Sequence, residues 1–270
     1  AASVQIAFSK MNGAGNDFVL VDNRDDQVSL SREQIAQLCH RQRGIGADGL
    51  IYLRNAKNGA DWAWEFYNAD GSDAEMCGNG ARCFARYIQE TTGGGETLSF
   101  ETVCGVIHAQ INGESVTINL TDPQGLALNE RIPTSEGEQT VHSLNTGVPH
   151  AVLFVDEADA AMVSSLGKEI RFHDHFAPVG TNVNFAQILA PGHIRVRTYE
   201  RGVGETLACG TGVSASGMIA AHLNDWPSPV KEDVLGGDTM GVAFEREGDA
   251  FSAVHLTGPA DFVFTGTVEI

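Results

Sequence analysis

Two short stretches place a cysteine at the head of a C-G-x-G turn: "EMCGNGARC" at 75–83 and "TLACGTGVS" at 206–214. A thiol there has two readings. One is packing, since unpaired cysteine is among the most often buried residue types. The other is reactivity, because the unsatisfied N–H groups of a helix start stabilise a thiolate. Either stretch taken alone favours packing. Set side by side, "AEMCGNGARCFARYI" (74–88) and "TLACGTGVSASGMIA" (206–220) share one spacing and one helical context, once per half of the chain. That repetition moves the balance towards chemistry.

Glycines allow the backbone to approach a ligand closely, and the N–H groups of a helix start bind a carboxylate. A cysteine on the same turn would sit beside the atom next to that carboxylate. Two such turns acting on one substrate would put a sulfur on each face of its α-carbon. One thiolate removes the α-proton and the opposite thiol supplies another, so the centre is inverted. Cysteine suits this work because its pKa lies near working pH and shifts readily. The pattern points to a two-base racemase or epimerase.

The elements that must position these residues are legible as periodicities. Strands are expected at 17–23, 61–68, 105–111, 115–120, 151–155, 183–189, 194–200 and 261–268. Helices are expected at 31–44, capped by Ser31 and stopped by Gly44, and at 80–90, with Ala81, Phe84, Ala85 and Ile88 on one face. A weaker pattern covers 160–173, and 212–223 is apolar on nearly every side, as in a helix buried all round. The proline-containing stretch 120–137 is the expected link between halves. "GIGADG" (44–49) fits a G-x-G-x-x-G pattern, but it follows a helix and precedes a strand, the wrong polarity for a dinucleotide fingerprint, and reads as a turn.

Composition narrows the function classes. Hydrophobic residues at 42% and charged residues at 19% suit a globular protein. No apolar run approaches the ~20 residues of a membrane span, and "AASVQIAFSK" lacks the features of a secretory signal. A net charge of −18 with no basic stripe argues against nucleic acid. The five cysteines (Cys39, Cys77, Cys83, Cys104, Cys209) form no C-x-x-C and no close Cys/His cluster, so neither a metal site nor a disulfide framework is expected. Free thiols in a reducing, cytoplasmic compartment are the better reading. Cys39, Cys83 and Cys104 read as structural.

Motifs along nearly the whole chain carry a family resemblance: "KMNGAGNDFVLVDN" (10–23), "GIGADG" (44–49), "FYNADGSDAEMCGNGARCFARY" (66–87), "GVPHAV" (147–152), "GTNVNFAQ" (180–187), "YERGVGETLACGTG" (199–212) and "LTGPADFVFTG" (256–266). On these the sequence resembles the cofactor-independent diaminopimelate epimerases. The resemblance implies Cys77 and Cys209 as the acid/base pair, with His150 and Glu200 adjusting their protonation. It implies Gly78–Asn79 and Gly210–Thr211 as donors to the reacting carboxylate, Asn16 as a substrate-binding residue, and Asn68, Asn182 and Arg201 at the distal amino-acid end.

The implied fold is α/β with two pseudo-symmetric halves, each a curved sheet wrapped around a central helix, and the active site in the cleft between them. The halves are expected at 1–123 plus 258–270 and at 124–257. The implied activity is epimerisation of LL- to meso-2,6-diaminopimelate in lysine and peptidoglycan precursor synthesis. No cofactor and no metal are implied, the partner is a small amino-acid substrate, and the assembly is left open between monomer and homodimer. Val148 and Gly49 depart from the family, which often carries asparagine and glutamine there. They keep open a racemase for another amino acid on the same scaffold. A pyridoxal phosphate racemase would need a Schiff-base lysine, and none of Lys10, Lys57, Lys168 and Lys231 lies in a C-G-x-G stretch. A non-catalytic amino-acid binding protein would give no reason for a thiol at both turns.

Overall fold

Alternating burial along Gln5–Gly13 makes β1, which turns back through Ala14 and Gly15 into β2 (Asn16–Asp22). Both turn residues have positive φ, 57° and 98°, the two-residue geometry that matches strand twist. The computed structural model describes residues 3–74 and 76–270, and the chain divides into two units: residues up to Ile118 with Gly258–Ile270, and Asn119–Thr257.

The first unit adds β3 (Gly49–Asn55), β4 (Trp62–Asn68), β5 (Thr97–Thr102), β6 (Gly105–Asn112), β7 (Ser115–Asn119) and, from the far end of the chain, β17 (Asp261–Glu269). Pairing runs β17-β1-β2-β3-β4-β5-β6-β7. All joins are antiparallel except β2–β3 and β4–β5. Parallel joins need a crossover, and here each carries a helix: α1 (Arg32–Cys39) between β2 and β3, α2 (Gly78–Thr92) between β4 and β5.

The second unit repeats that plan. Its strands are β8 (Gln124–Thr134), β9 (Gly137–Asn145), β10 (Pro149–Phe154), β11 (Asn182–Ala190), β12 (His193–Glu200), the short β13 (Gly204–Thr206), β14 (Val230–Val234), β15 (Thr239–Glu247) and β16 (Ala250–Pro259). The order is β8-β9-β10-β11-β12-β14-β15-β16, again with two parallel joins, β10–β11 and β12–β14. These are bridged by α3 (Val163–Arg171) and α4 (Gly210–Asn224). A mixed α/β fold with two pseudo-symmetric halves is therefore visible strand by strand.

Local chemistry explains the helices. Ser31 accepts from the Gln34 N–H while the Gln34 side chain returns to the Ser31 N–H, a capping box for α1. In α2, Ala81, Phe84, Ala85 and Ile88 are buried, Phe84 packs with Trp64 and Phe100, and Gly93 ends the helix with φ 68°. In α4 every residue from Gly212 to Ala221 is buried. A Cβ on Gly217 would lie 2.5 Å from Val242 Cγ1 and 2.6 Å from Glu232 Oε2, so the helix sits on the sheet at a distance only glycine permits there.

Three expectations change. The first helix stops at Cys39, not Gly44: the chain folds back on itself, with the Gly44, Ile45 and Ala47 N–H groups capping the carbonyls of His40, Leu38 and Cys39. A Cβ on Gly44 would lie 2.0 Å from the Gln37 oxygen, so this glycine serves close approach, not helix termination. The stretch 160–173 is helical only over Val163–Arg171. The supposed linker 120–137 is mostly strand β8, which pairs along β9; Pro133 is tolerated because β8 is the first strand in its unit's order. Among the described residues, no helix is long and apolar enough to cross a membrane.

Under α4 lies an uncompensated carboxyl. Glu232 is fully buried, and neither oxygen has a hydrogen-bond partner among the described residues. Burial holds its pKa well above the usual carboxylate range. The folded protein thus keeps a proton that the unfolded chain releases, so stability falls as pH rises above the ordinary glutamate pKa of about 4.3. Glu232→Met is expected to raise stability near neutral pH by about 1–3 kcal/mol and to remove that slope. Urea unfolding at about pH 4 and about pH 7 reads both; an unchanged slope would show that Glu232 is not its source.

Candidate active site

Cys77 is the N-cap of α2, with extended φ/ψ of −140°/116°, and its carbonyl accepts from the Ala81 N–H at 2.8 Å. The N–H groups of the turn in between have no acceptor within the helix. A cavity of about 380 Å³ opens beside the half-buried sulfur, with Asn16, Asn68 and Asp48 and the rings of Phe18 and Phe66 in its lining. One close contact draws together residues far apart in sequence. A Cβ on Gly13 would lie 2.8 Å from the Asn79 carbonyl oxygen, so the β1–β2 turn can reach the helix start and deliver Asn16 to it. The Asn68 amide is held by Ser72 Oγ and the Asp73 carbonyl, at 3.1 and 3.2 Å.

The hydrogen bonds around Asn16 have defined directions. Arg82, which can only donate, gives Nη2–H to Asn79 Oδ1 at 2.7 Å. The Asn79 amide therefore donates to Asn16 Oδ1 at 3.0 Å, and Asn16 Nδ2 donates to Asp48 Oδ2 at 2.6 Å. Asp48 is gripped by Arg41, which also makes a bidentate pair with Asp17. Burial works to raise the Asp17 pKa, but the hydrogen bonds from Arg41 and Lys10 outweigh it and bring it to about 2. Asn16 Oδ1 faces the Cys77 sulfur at 3.7 Å, the thiol donating.

The second unit has the same frame with other side chains. Cys209 is the N-cap of α4 at φ/ψ −131°/111°, and its carbonyl accepts from Val213 N–H at 2.8 Å. Thr211 Oγ1 is 3.6 Å from the Cys209 sulfur and 2.8 Å from His150 Nε2. His150 is buried on β10, beside Asn182 across the parallel join to β11. Burial, reinforced by the positive charge of Arg201, pushes its pKa down to about 3, so its imidazole is neutral at physiological pH. Asn182 Oδ1 accepts from the Arg201 N–H at 2.6 Å, and the Arg201 guanidinium donates to the Val179 carbonyl at 3.1 Å. Glu200 ends β12, half-buried, just before Arg201.

Within the first unit the structure thus gathers Cys77, Gly78, Asn79, Asn16 and Asn68 at one helix start. Within the second it joins Cys209, Gly210, Thr211 and His150 at another, with Asn182, Glu200 and Arg201 on adjoining strand ends. The remaining thiols divide. Cys39 and Cys83 are buried, and burial raises their pKa values to about 11 and about 12. Cys104 is exposed at the turn before β6, not packed, because the β5–β6 hairpin puts it outside the sheet.

Residues not singled out from the sequence complete both sites. Asp48 holds Asn16, Arg82 orients Asn79, and Asn184, fully buried, bonds His150 Nδ1 at 3.0 Å. Asn184 stands two residues after Asn182 on a strand, hence on the same face, and that alternation of asparagines was the available signal. Gly49 lies where a Cβ would meet the Tyr67 carbonyl oxygen at 2.7 Å and Phe66 at 2.9 Å, so the seat of the cavity-lining Phe66 ring depends on its missing side chain.

The second glycine of each motif differs in what it permits. A Cβ on Gly212 would sit 2.4 Å from Asn184 Oδ1 and 3.2 Å from His150 Cε1; on Gly80 the nearest atoms, of Phe18 and Ile51, are at 3.4 and 3.5 Å. Gly212→Ala is therefore expected to cost about 1–3 kcal/mol through overpacking. Gly80→Ala should stay within about 1 kcal/mol of the parent, because helix propensity offsets the tighter contact. Parallel urea titrations compare the two, and equal losses would count against the asymmetry.

The model of the diaminopimelate epimerase family matches residues 8–125 and 142–263. The diaminopimelate epimerase of Hydrogenobaculum sp. (strain Y04AAS1) is 42% identical over 272 residues, covering 96% of each chain. That of Aquifex aeolicus (strain VF5) is 42% identical over 274 residues, with the same coverage. Solved structures share the fold at low identity. A Bacillus anthracis phenazine biosynthesis protein of the PhzF family superposes with a TM-score of 0.75 at 16% identity, covering 99% of this chain and 100% of the other. A hydroxyproline epimerase from Agrobacterium vitis gives 0.72 at 18%, covering 98% and 93%. With this match along nearly its whole length, and a thiol at the start of the central helix of each half, the chain belongs to the diaminopimelate epimerase family.

Proposed function

We propose that the protein interconverts LL- and meso-2,6-diaminopimelate by two-base inversion at one α-carbon, with Cys77 and Cys209 as the acid/base pair and without pyridoxal phosphate. The carrying observation is that both cysteines occupy the same structural position, the N-cap of a buried helix entered by C-G-x-G. The family's curated members support the substrate.

In the forward direction one thiolate takes the α-proton, and the electron pair left on carbon is delocalised into the adjacent carboxylate. The opposite thiol then gives its own proton to the other face. Atoms balance without any further reagent: the two sulfurs have exchanged roles, and the return reaction starts from that state. The barrier lies in the charge developing on the carboxylate. Donors aimed at it in advance stabilise that charge most effectively where water is excluded. The N–H groups of the first turns at Gly78–Asn79 and Gly210–Thr211 are such donors, and they matter more because the chain's net charge of −18 disfavours anions. Asn16, Asn68, Asn182 and Arg201 hold the rest of the substrate in this reading, the last through its guanidinium. A cytoplasmic setting would keep both thiols reduced.

Turnover of LL-diaminopimelate in deuterated water should place deuterium at the α-carbon of the inverted product. Cys77→Ala and Cys209→Ala should each lower the rate by about 10²–10⁴-fold, the usual weight of a positioned acid or base. Full turnover by either variant, or inversion without solvent deuterium, would rule the two-thiol mechanism out.

A further inference from the structure

Behind Cys209 runs a chain of hydrogen bonds whose directions are determined by its far end. Asn184 is fully buried, and its Nδ2 lies 3.0 Å from the Ala151 carbonyl oxygen and 3.0 Å from His150 Nδ1. A carbonyl can only accept, so the nitrogen of the amide faces both groups. Asn184 Oδ1 points the other way and accepts from the Thr198 hydroxyl at 2.7 Å. His150 Nδ1 must then be the ring's acceptor nitrogen. Burial and Arg201 hold the imidazole neutral, so its single proton is on Nε2, which meets Thr211 Oγ1 at 2.8 Å. Thr211 Oγ1 accepts that proton, and its own hydroxyl proton is available to the Cys209 sulfur, 3.6 Å away. The Thr211 main chain is held as well, because its carbonyl accepts from Thr146 Oγ1 at 2.9 Å. Gly212 leaves the space in which Asn184 and His150 meet the helix start.

We propose that Asn184 is a positioning residue for Cys209: it locks His150 in the Nε2–H tautomer and thereby turns the Thr211 hydroxyl proton towards the Cys209 sulfur, favouring the thiolate. The histidine acts as a fixed dipole, not as a titrating base. A hydroxyl aimed at a thiolate lowers the pKa of that thiol, because it stabilises only the charged form. Reversal of the tautomer would reverse the effect: an unprotonated Nε2 would draw the hydroxyl proton to itself and leave the sulfur without it. The inference rests on the reading of Cys209 as an acid/base group, but its central observable does not depend on turnover.

Three measurements on the full-length protein test it. In the parent, ¹⁵N shifts of His150 should report an unprotonated Nδ1 and a protonated Nε2, constant through the neutral range. Asn184→Asp, whose carboxylate accepts, should move the proton to Nδ1 and raise the Cys209 pKa by about one unit, read from the ¹³Cβ shift of labelled cysteine. Its kcat near neutral pH should fall about tenfold and recover as pH rises, with a smaller change in KM. Because a buried carboxylate at 184 can perturb folding, Thr211→Val provides an independent arm. It should raise the Cys209 pKa similarly while leaving the His150 tautomer as in the parent. A parent His150 protonated on Nδ1, or a Cys209 pKa unmoved in both variants, overturns the proposal. Full turnover by Cys209→Ala would instead remove the acid/base reading, while the tautomer and pKa measurements still judged the relay.

Discussion

The structure depends on how closely a helix start can be seated on a sheet. In the second unit the first turn of α4 comes so near β11 that a single methyl at position 212 would lie 2.4 Å from Asn184 Oδ1. Further along the same helix, Gly217 repeats the approach over Val242 and Glu232. In the first unit the corresponding closeness comes from the partner element, where Gly13 lets the β1–β2 turn touch the Asn79 carbonyl. These contacts bring polar side chains from distant strands to the N–H groups that a helix cannot satisfy itself. Without that approach each cysteine would still cap a helix but would face no organised site.

The two units share a backbone plan and differ in the polar groups that brace it. At Cys77 the bracing ends in charges: Arg82 buried behind Asn79, and Asp48 held by Arg41. At Cys209 it is neutral, running through His150 and Asn184 to a backbone carbonyl. In both, the asparagine that braces the helix start is itself hydrogen-bonded. The groups reaching the sulfurs differ as well, an amide oxygen at Cys77 and a hydroxyl at Cys209. Glu232, a buried carboxyl with no hydrogen-bond partner among the described residues, lies beneath α4 and marks where close seating of the helix carries a stability cost.

Much of this was legible in the residues. Strand periodicities located about half of the strands, the small apolar run after Cys209 announced a helix buried all round, and the repeated C-G-x-G located both caps. Other features were not. Gly44 reads as a helix stop by its type, yet it acts five residues past the helix by packing against it. The stretch 120–137 reads as a linker from its proline and polar residues, yet backbone pairing with β9 makes it a strand, because hydrogen bonding along an edge does not require an apolar pattern. Cys104 looks like any other scattered cysteine, and only the hairpin turn exposes it.

The sequence by itself determined where two thiols stand, each tied by local spacing to a glycine turn and a helix, since capping and periodicity act within a few residues. It also determined the family, through motifs spread over the chain. Only the tertiary structure decided which side chains stand behind those thiols. Arg82 and Asp48 carry no local signature and Asn184 only its alternation with Asn182, because their roles come from strand register and from helix-to-sheet distances set by the packing of the whole unit. The direction of a hydrogen bond is decided the same way, by whichever group at the end of the chain can only give or only accept a proton.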